Sequence, residues 1–224
     1  MTYLVLILSV LVGVIIVFGL KPSTKTVQLL LAFSGAYLLS ITILHLLPEV
    51  YTSEKTATIG LFILFGLLFQ LIIDFFSKGA EHGHVHVQDT AIFPWALFFS
   101  LAIHAFMEGI PLAHSHHHEH LLWAIVIHKI PVSIILGTFF VKSNFPKRYA
   151  VLFLVLFSLM SPLGSLAGEH IPLLIAYKTE ITAIIIGVFL HISTIILFET
   201  SKNHTFNLLK FTAILIGMLV AYLA

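Results

Sequence analysis

Eight long apolar runs dominate this sequence and limit what the chain can fold into. Each run has 19 to 23 residues. They cover residues 2–20, 27–47, 57–77, 91–113, 120–141, 149–168, 180–199 and 205–224. A helix rises about 1.5 Å per residue and needs about 20 residues to cross the hydrocarbon core of a bilayer. The sequence therefore predicts an all-α integral membrane protein, in which residues 1–224 form a single transmembrane domain of eight helices.

The composition agrees with this prediction and excludes several other classes. Hydrophobic residues make up 59% of the chain and charged residues 9%, whereas a soluble domain carries about 25% charged residues. We therefore expect a lipid bilayer around the chain. The sequence has no cysteine, which excludes thiolate metal sites and thiol catalysis. A net charge of +1 argues against a nucleic-acid partner.

The basic residues between the runs predict the orientation of the bundle. The first, third, fifth and seventh connections hold seven lysines and arginines, and the other three connections hold two. The seven are Lys21, Lys25, Lys78, Lys142, Lys147, Arg148 and Lys202, and the two are Lys55 and Lys178. Because cytoplasmic connections carry the excess of basic residues, both termini are predicted to lie outside.

The fourth run contains ionisable residues at membrane depth, where their insertion is costly. His104 and Glu108 are four residues apart, so they project from the same face of a helix. An imidazole and a carboxylate on one face form half of a divalent-metal site. Gly109 and Pro111 follow at once and loosen the helix. A proton relay or a buried hydrogen-bonded pair is the alternative reading.

The fifth run repeats this pattern with His128, Lys129 and Pro131. His128 supplies a third ligand beside His104 and Glu108. Lys129 lies about ten residues into its run and has two readings. Either its ammonium takes the place of a second cation and neutralises Glu108, or its side chain extends to the membrane surface.

Two further helices carry polar residues that suggest a path across the bilayer. His45 and Glu49 form another pair four residues apart, near the outer end of the second run. His191 lies near mid-depth in the seventh run, and Glu199 lies at its cytoplasmic end. We interpret these four as possible pathway residues or additional ligands. The alternatives are an ordinary helix end for the first pair and an inter-helix hydrogen bond for His191.

The connections hold two histidine tracts. Clustered neutral imidazoles bind zinc and similar ions without a fixed geometry, so both tracts are candidates for metal capture. A variable loop without a role in transport is the alternative. The cytoplasmic tract comprises His82, His84 and His86, and the outer tract comprises His114, His116, His117, His118 and His120.

Taken together, these motifs resemble the ZIP (Zrt/Irt-like) metal transporters over essentially the whole chain. The fourth run has the pattern His-x-x-x-Glu-Gly and the fifth has His-x-x-Pro. The segment from His45 to Glu49 is similar to the second helix of the family, and Ser161-Pro162-Leu163-Gly164 is similar to its sixth. The resemblance implies uptake of zinc, or of iron or manganese, into the cytoplasm by a homodimer. The metal would be the transported substrate, and no cofactor is implied.

Three departures from the family pattern concern a second metal subsite. Many family members have a second ion there, held by an Asn or Asp and by acids, where this chain has Ala105, Lys129 and Ser161. Val132 replaces a further acidic ligand. The resemblance therefore implies a single transported ion, with Lys129 as an electrostatic substitute for the second. The fourth ligand of the retained site, beside His104, Glu108 and His128, would be His45, His191 or water.

Two other functions compete with uptake. An intramembrane metal-dependent hydrolase would also need a buried zinc site, but the sequence has no His-Glu-x-x-His motif. An exporter of the cation-diffusion type would need a cytoplasmic metal-binding domain, for which this chain lacks room. We therefore expect a non-enzymatic transporter. The short connections favour the cell membrane of a prokaryote.

Overall fold

The computed structural model describes residues 1–52, 56–77, 95–113, 118–142, 146–198 and 207–224. These residues form eight helices of 15 or more residues, and they contain no strand. The helices are α1 (Thr2–Leu20), α2 (Thr24–Ile41), α3 (Thr56–Ser77), α4 (Trp95–Gly109), α5 (His118–Lys142), α6 (Lys147–His170), α7 (Lys178–Phe198) and α8 (Leu208–Leu223). The prediction of an all-α protein is confirmed for this part of the chain.

Four short elements extend or connect these helices. After Ile41, α2 continues through a π-helical turn, Thr42–Leu46, into a last turn at Leu47–Val50. The helix α4 changes at Gly109 into a 3-10 turn, Ile110–Ala113, in agreement with the loosening expected at Gly109 and Pro111. A one-turn helix, Pro172–Ala176, connects α6 to α7.

Seven of the eight helices are long and apolar enough to cross a membrane, counted over the described ranges. The exception is α8, which is apolar but has 16 residues, or about 24 Å at the α-helical rise. Large apolar side chains also face outward, such as Ile15 on α1 and Phe75 on α3. The chain is a multi-pass membrane protein. An eighth span and the outside location of both termini stay predictions.

The helices pack into two groups of four. In one group, α2 packs against α7 and α8, and α7 also packs along α3. In the other group, α1 packs against α5 and α6, and α4 packs along α6. The contact between α2 and α5 is the most extensive of those that join the two groups.

Contacts between helix ends define one end of the bundle. The Tyr3 hydroxyl donates a 2.7 Å hydrogen bond to Glu169, which joins the start of α1 to the end of α6. The imidazole rings of His45 and His120 stack, which joins the end of α2 to the start of α5. Within the described residues, α1 therefore runs opposite to α6, and α2 runs opposite to α5.

A lysine near the start of α8 contacts the opposite end of the bundle. The Lys210 ammonium donates hydrogen bonds of 3.1 Å and 2.9 Å to the carbonyl oxygens of Ile196 and Leu197, in the last turn of α7. The last carbonyls of a helix have no partner within that helix and carry its negative dipole end. Lys210 therefore stabilises the end of α7 from a neighbouring helix.

Candidate metal site

The helix α4 places His104 and Glu108 in the interior of the bundle. Each is 2% exposed. One turn of helix separates them, and His104 Nε2 lies 3.6 Å from Glu108 Oε2. The spacing of four residues thus produces the predicted imidazole and carboxylate pair on one buried face.

His128 reaches the same pair from α5. Its side chain is 1% exposed, and its ring meets the His104 ring edge to face, with centroids 6.2 Å apart and planes at 88°. The three residues predicted as ligands from the sequence are therefore brought together from two helices that are separated in sequence by the outer tract.

Lys129 is part of this cluster and does not extend to the membrane surface. Its ammonium group donates a hydrogen bond to Glu108 Oε1, and the side chain is 2% exposed. The ring of Phe157 also lies beside it, with 5.1 Å between Nζ and the ring centroid. The ammonium and the carboxylate compensate each other's charge, which makes the burial of both tolerable.

Ser161 of α6 contacts both members of this ion pair. Its hydroxyl oxygen accepts a 2.6 Å hydrogen bond from Lys129, and it lies 2.8 Å from Glu108 Oε1 and 2.7 Å from the carbonyl oxygen of Ala105. A hydroxyl has one proton to donate, so it serves one of these two acceptors at a time. Sequence reasoning identified Ser161 only as a lost acid. The adjacent Pro162 and Gly164 were the available signal that α6 approaches another helix here.

Two glycines set this approach between α4 and α6. A Cβ atom on Gly109 would overlap the carbonyl group of Ser161, and a Cβ atom on Gly164 would overlap the carbonyl oxygen of Phe106. Small residues allow helix backbones to come this close inside a membrane. The contact brings the hydroxyl of Ser161 within hydrogen-bonding distance of Glu108.

The donor set fits a borderline divalent ion, although the side chains are not arranged around one. Two imidazoles and one carboxylate suit zinc and its neighbours among the transition metals. Within the described ranges, no three His, Asp or Glu side chains form a group positioned to hold an ion. Glu108 is instead turned toward Lys129 and Ser161. Ion binding at this cluster therefore requires Glu108 to share its carboxylate between the ion and the lysine.

The other predicted residues lie in separate surroundings. Glu49 lines a small cavity with Lys178 and Thr182 of α7. His45 contacts His120. His191 is buried in α7, at 6% exposure. Glu199 and six tract histidines lie outside the described residues, as does the side chain of His118, and the six are His82, His84, His86, His114, His116 and His117.

The fold and the buried cluster around Glu108 together define a class of membrane protein, namely a helical bundle with ionisable groups buried between its helices. The sequence model of the ZIP zinc transporter family matches residues 77–224. The chain belongs to this family, as its motifs predicted. No curated protein matches the chain. Members of the family are transporters of divalent metal ions, typically zinc, which agrees with the expectation of a non-enzymatic protein.

Proposed function

We propose that this protein carries divalent transition-metal ions, zinc foremost, across the membrane into the cytoplasm. In this proposal His104, Glu108 and His128 hold the ion inside the bilayer. The observation that supports it most is their convergence from α4 and α5 at an almost fully buried position. Ionisable groups at membrane depth are costly and mark ion pathways.

The charge of the cluster supports transport of one ion at a time. Glu108 and Lys129 together are neutral, so one divalent ion leaves the cluster with a charge of about +2, and a second would raise it to about +4. The Lys129 ammonium already contacts Oε1 of Glu108, while His104 lies beside Oε2 of the same carboxylate. Lys129 thus acts in place of a second cation.

Release of the ion also follows from this arrangement. A site of imidazole and carboxylate ligands without thiolate binds zinc less tightly than a structural site does. Lys129 competes with the ion for Glu108 and weakens binding further. Transport needs binding that is favourable enough for capture and weak enough for release.

The remaining assignments extend the proposal. Inward transport rests on the resemblance of the motifs to the ZIP family, and the outside location of both termini rests on the basic connections. His45, Glu49, His191 and Glu199 are proposed pathway residues, with iron or manganese as further substrates. The homodimer and the location in the cell membrane of a prokaryote also belong to the proposal.

Zinc uptake into proteoliposomes tests the buried site. We expect His104→Ala to reduce uptake to a few per cent of wild type or less, and the double variant Glu108→Gln/Lys129→Met to do the same without leaving an unpaired buried charge. His170→Ala is the matched control, because His170 is an exposed histidine on α6 whose Nδ1 lies 3.0 Å from the carbonyl oxygen of Leu166. Wild-type uptake by both site variants would overturn the assignment. Anomalous scattering from zinc-soaked crystals would count the ions, and two at this cluster would contradict single-ion binding.

A further inference from the structure

We propose that His45 and His120 form a second metal-binding site, at the end of the bundle where α2 ends and α5 begins. The site joins one residue of a helix end to one residue of the outer tract, and it takes a borderline divalent ion such as zinc on two imidazole nitrogens. Its role as the first site that an incoming ion meets rests on the proposed function. The existence of the site does not.

The contact between the two rings is close and specific. Their centroids are 4.7 Å apart and their planes differ by 5°. Both side chains are half-buried, so ions from the surrounding water can reach them. Two neutral imidazoles are good ligands for zinc, copper, nickel and cobalt.

A local irregularity in α2 directs His45 toward α5. His45 lies within the π-helical turn, where the backbone N–H of Leu47 donates to the carbonyl of Thr42 in place of the usual α-helical acceptor. The π-helical turn contains one residue more than a regular α-helical turn. This shifts the side chains that follow by about 100° around the helix axis. Such turns are frequent at functional sites because they re-aim a side chain at a cost in helix geometry.

In this proposal the stacked conformation of the two rings is the one present before an ion binds. The lone pair of an imidazole nitrogen lies in the plane of its ring, so parallel rings do not aim their lone pairs at one point. Rotation about the Cβ–Cγ bond is soft for histidine. It turns both nitrogens toward a shared ion without movement of the helices, and water fills the remaining coordination positions.

The position of the pair gives the site a place in transport. His120 precedes His128 by eight residues on α5, which is about 12 Å along the helix axis. The pair also joins the two helix groups, because α2 belongs to one and α5 to the other. An ion captured here lies about two helical turns from the buried cluster.

Zinc stoichiometry of the full-length, detergent-solubilised protein tests the site. Equilibrium dialysis would compare wild type with His45→Phe, His120→Phe and the double variant. Phenylalanine keeps a stacked ring and removes the ligand nitrogen. We expect each single variant to lose one bound zinc per chain and the double variant to lose the same one, because both residues serve one ion. The tract histidines other than His120 contribute equally to all variants and cancel in the difference.

Several results would overturn the site. Unchanged stoichiometry in the single variants would reduce the pair to ring packing, and a loss of two ions in the double variant would mean two independent sites. His170→Phe is the control for removal of an exposed histidine and should lose none. Zinc should also raise the midpoint of thermal unfolding of wild type by more than it raises the midpoint of the Phe variants, which keep only the buried site.

Two further measurements separate this proposal from the buried transport site. In a chain with His104→Ala and His128→Ala, the His45→Phe change should still remove one zinc, whatever happens to uptake. In otherwise wild-type chains, uptake by His45→Phe should show a KM raised several-fold with an unchanged maximal rate. An unchanged KM would overturn the role of the pair in ion capture. Whether the site exists would then be decided by the zinc stoichiometry alone.

Discussion

Lys129 and Lys210 both interrupt apolar helices, but one contacts a carboxylate inside the bundle and the other contacts backbone carbonyls at a helix end. Lys129 lies about halfway along α5 and is 2% exposed. Lys210 lies near the start of α8, is only partly buried, and donates to the last turn of α7. The same residue type thus completes a charged cluster in one place and caps a helix in the other.

The comparison teaches that the surroundings of an intramembrane charge determine how much that charged residue contributes to stability. Removal of Lys129 leaves the Glu108 carboxylate buried without its counter-ion, which is far more costly than the loss of the pair as a whole. Removal of Lys210 leaves carbonyl groups at a helix end, where water is close. We therefore expect the two lysines to differ in how strongly their loss affects stability.

The largest effect is expected for Lys129→Met. Breaking a buried ion pair by removing one partner costs about 3–5 kcal/mol, measured as the free energy of unfolding in mixed detergent micelles. The double variant Lys129→Met/Glu108→Gln should recover more than half of that loss, because no unpaired charge remains. A double variant as unstable as the single one would show that the contact is not a charge pair.

A smaller effect is expected for Ser161→Ala. The change removes a hydroxyl that accepts from Lys129 and contacts Ala105, at about 1–3 kcal/mol for buried groups left without a partner. Ser158→Ala is the matched control on the same helix, since the Ser158 hydroxyl is also buried and donates to the carbonyl oxygen of Val155 within its own helix. Equal losses in both variants would remove Ser161 from the cluster.

The smallest effect is expected for Lys210→Met. A charge at a helix end contributes about 0.3–1 kcal/mol, which lowers the unfolding midpoint by a few degrees at most for a chain of this size. Zinc uptake should stay at the wild-type rate. A loss as large as that of Lys129→Met would break the distinction between the two lysines.

Much of the fold could be predicted because lipid imposes it. Backbone polar groups in a bilayer must be satisfied within the chain, so each long apolar run forms a helix, and residues 57–77 and 180–199 fall almost entirely on α3 and α7. The π-helical turn at Thr42–Leu46 could not be predicted, since it depends on packing against other helices and not on residue type.

The candidate site was predicted in part for the same reason. The spacing of His104 and Glu108 fixes their common face through helix geometry alone. The partners of Lys129 could not be read from the sequence, because Ser161 is 32 residues away and its approach depends on the glycines between α4 and α6. The pairing of His45 with His120 was missed because the two belong to different motifs.

The sequence by itself determined the membrane class, the helices and the family of this protein, because these follow from apolar run length and from motifs within single helices. Only the tertiary structure decided which polar side chains contact each other. It placed Lys129 against Glu108 and Ser161, and His45 against His120, because inter-helix contacts depend on close packing at positions far apart in the chain. Local periodicity sets the face of a helix, but the neighbour of that face is chosen by the whole bundle.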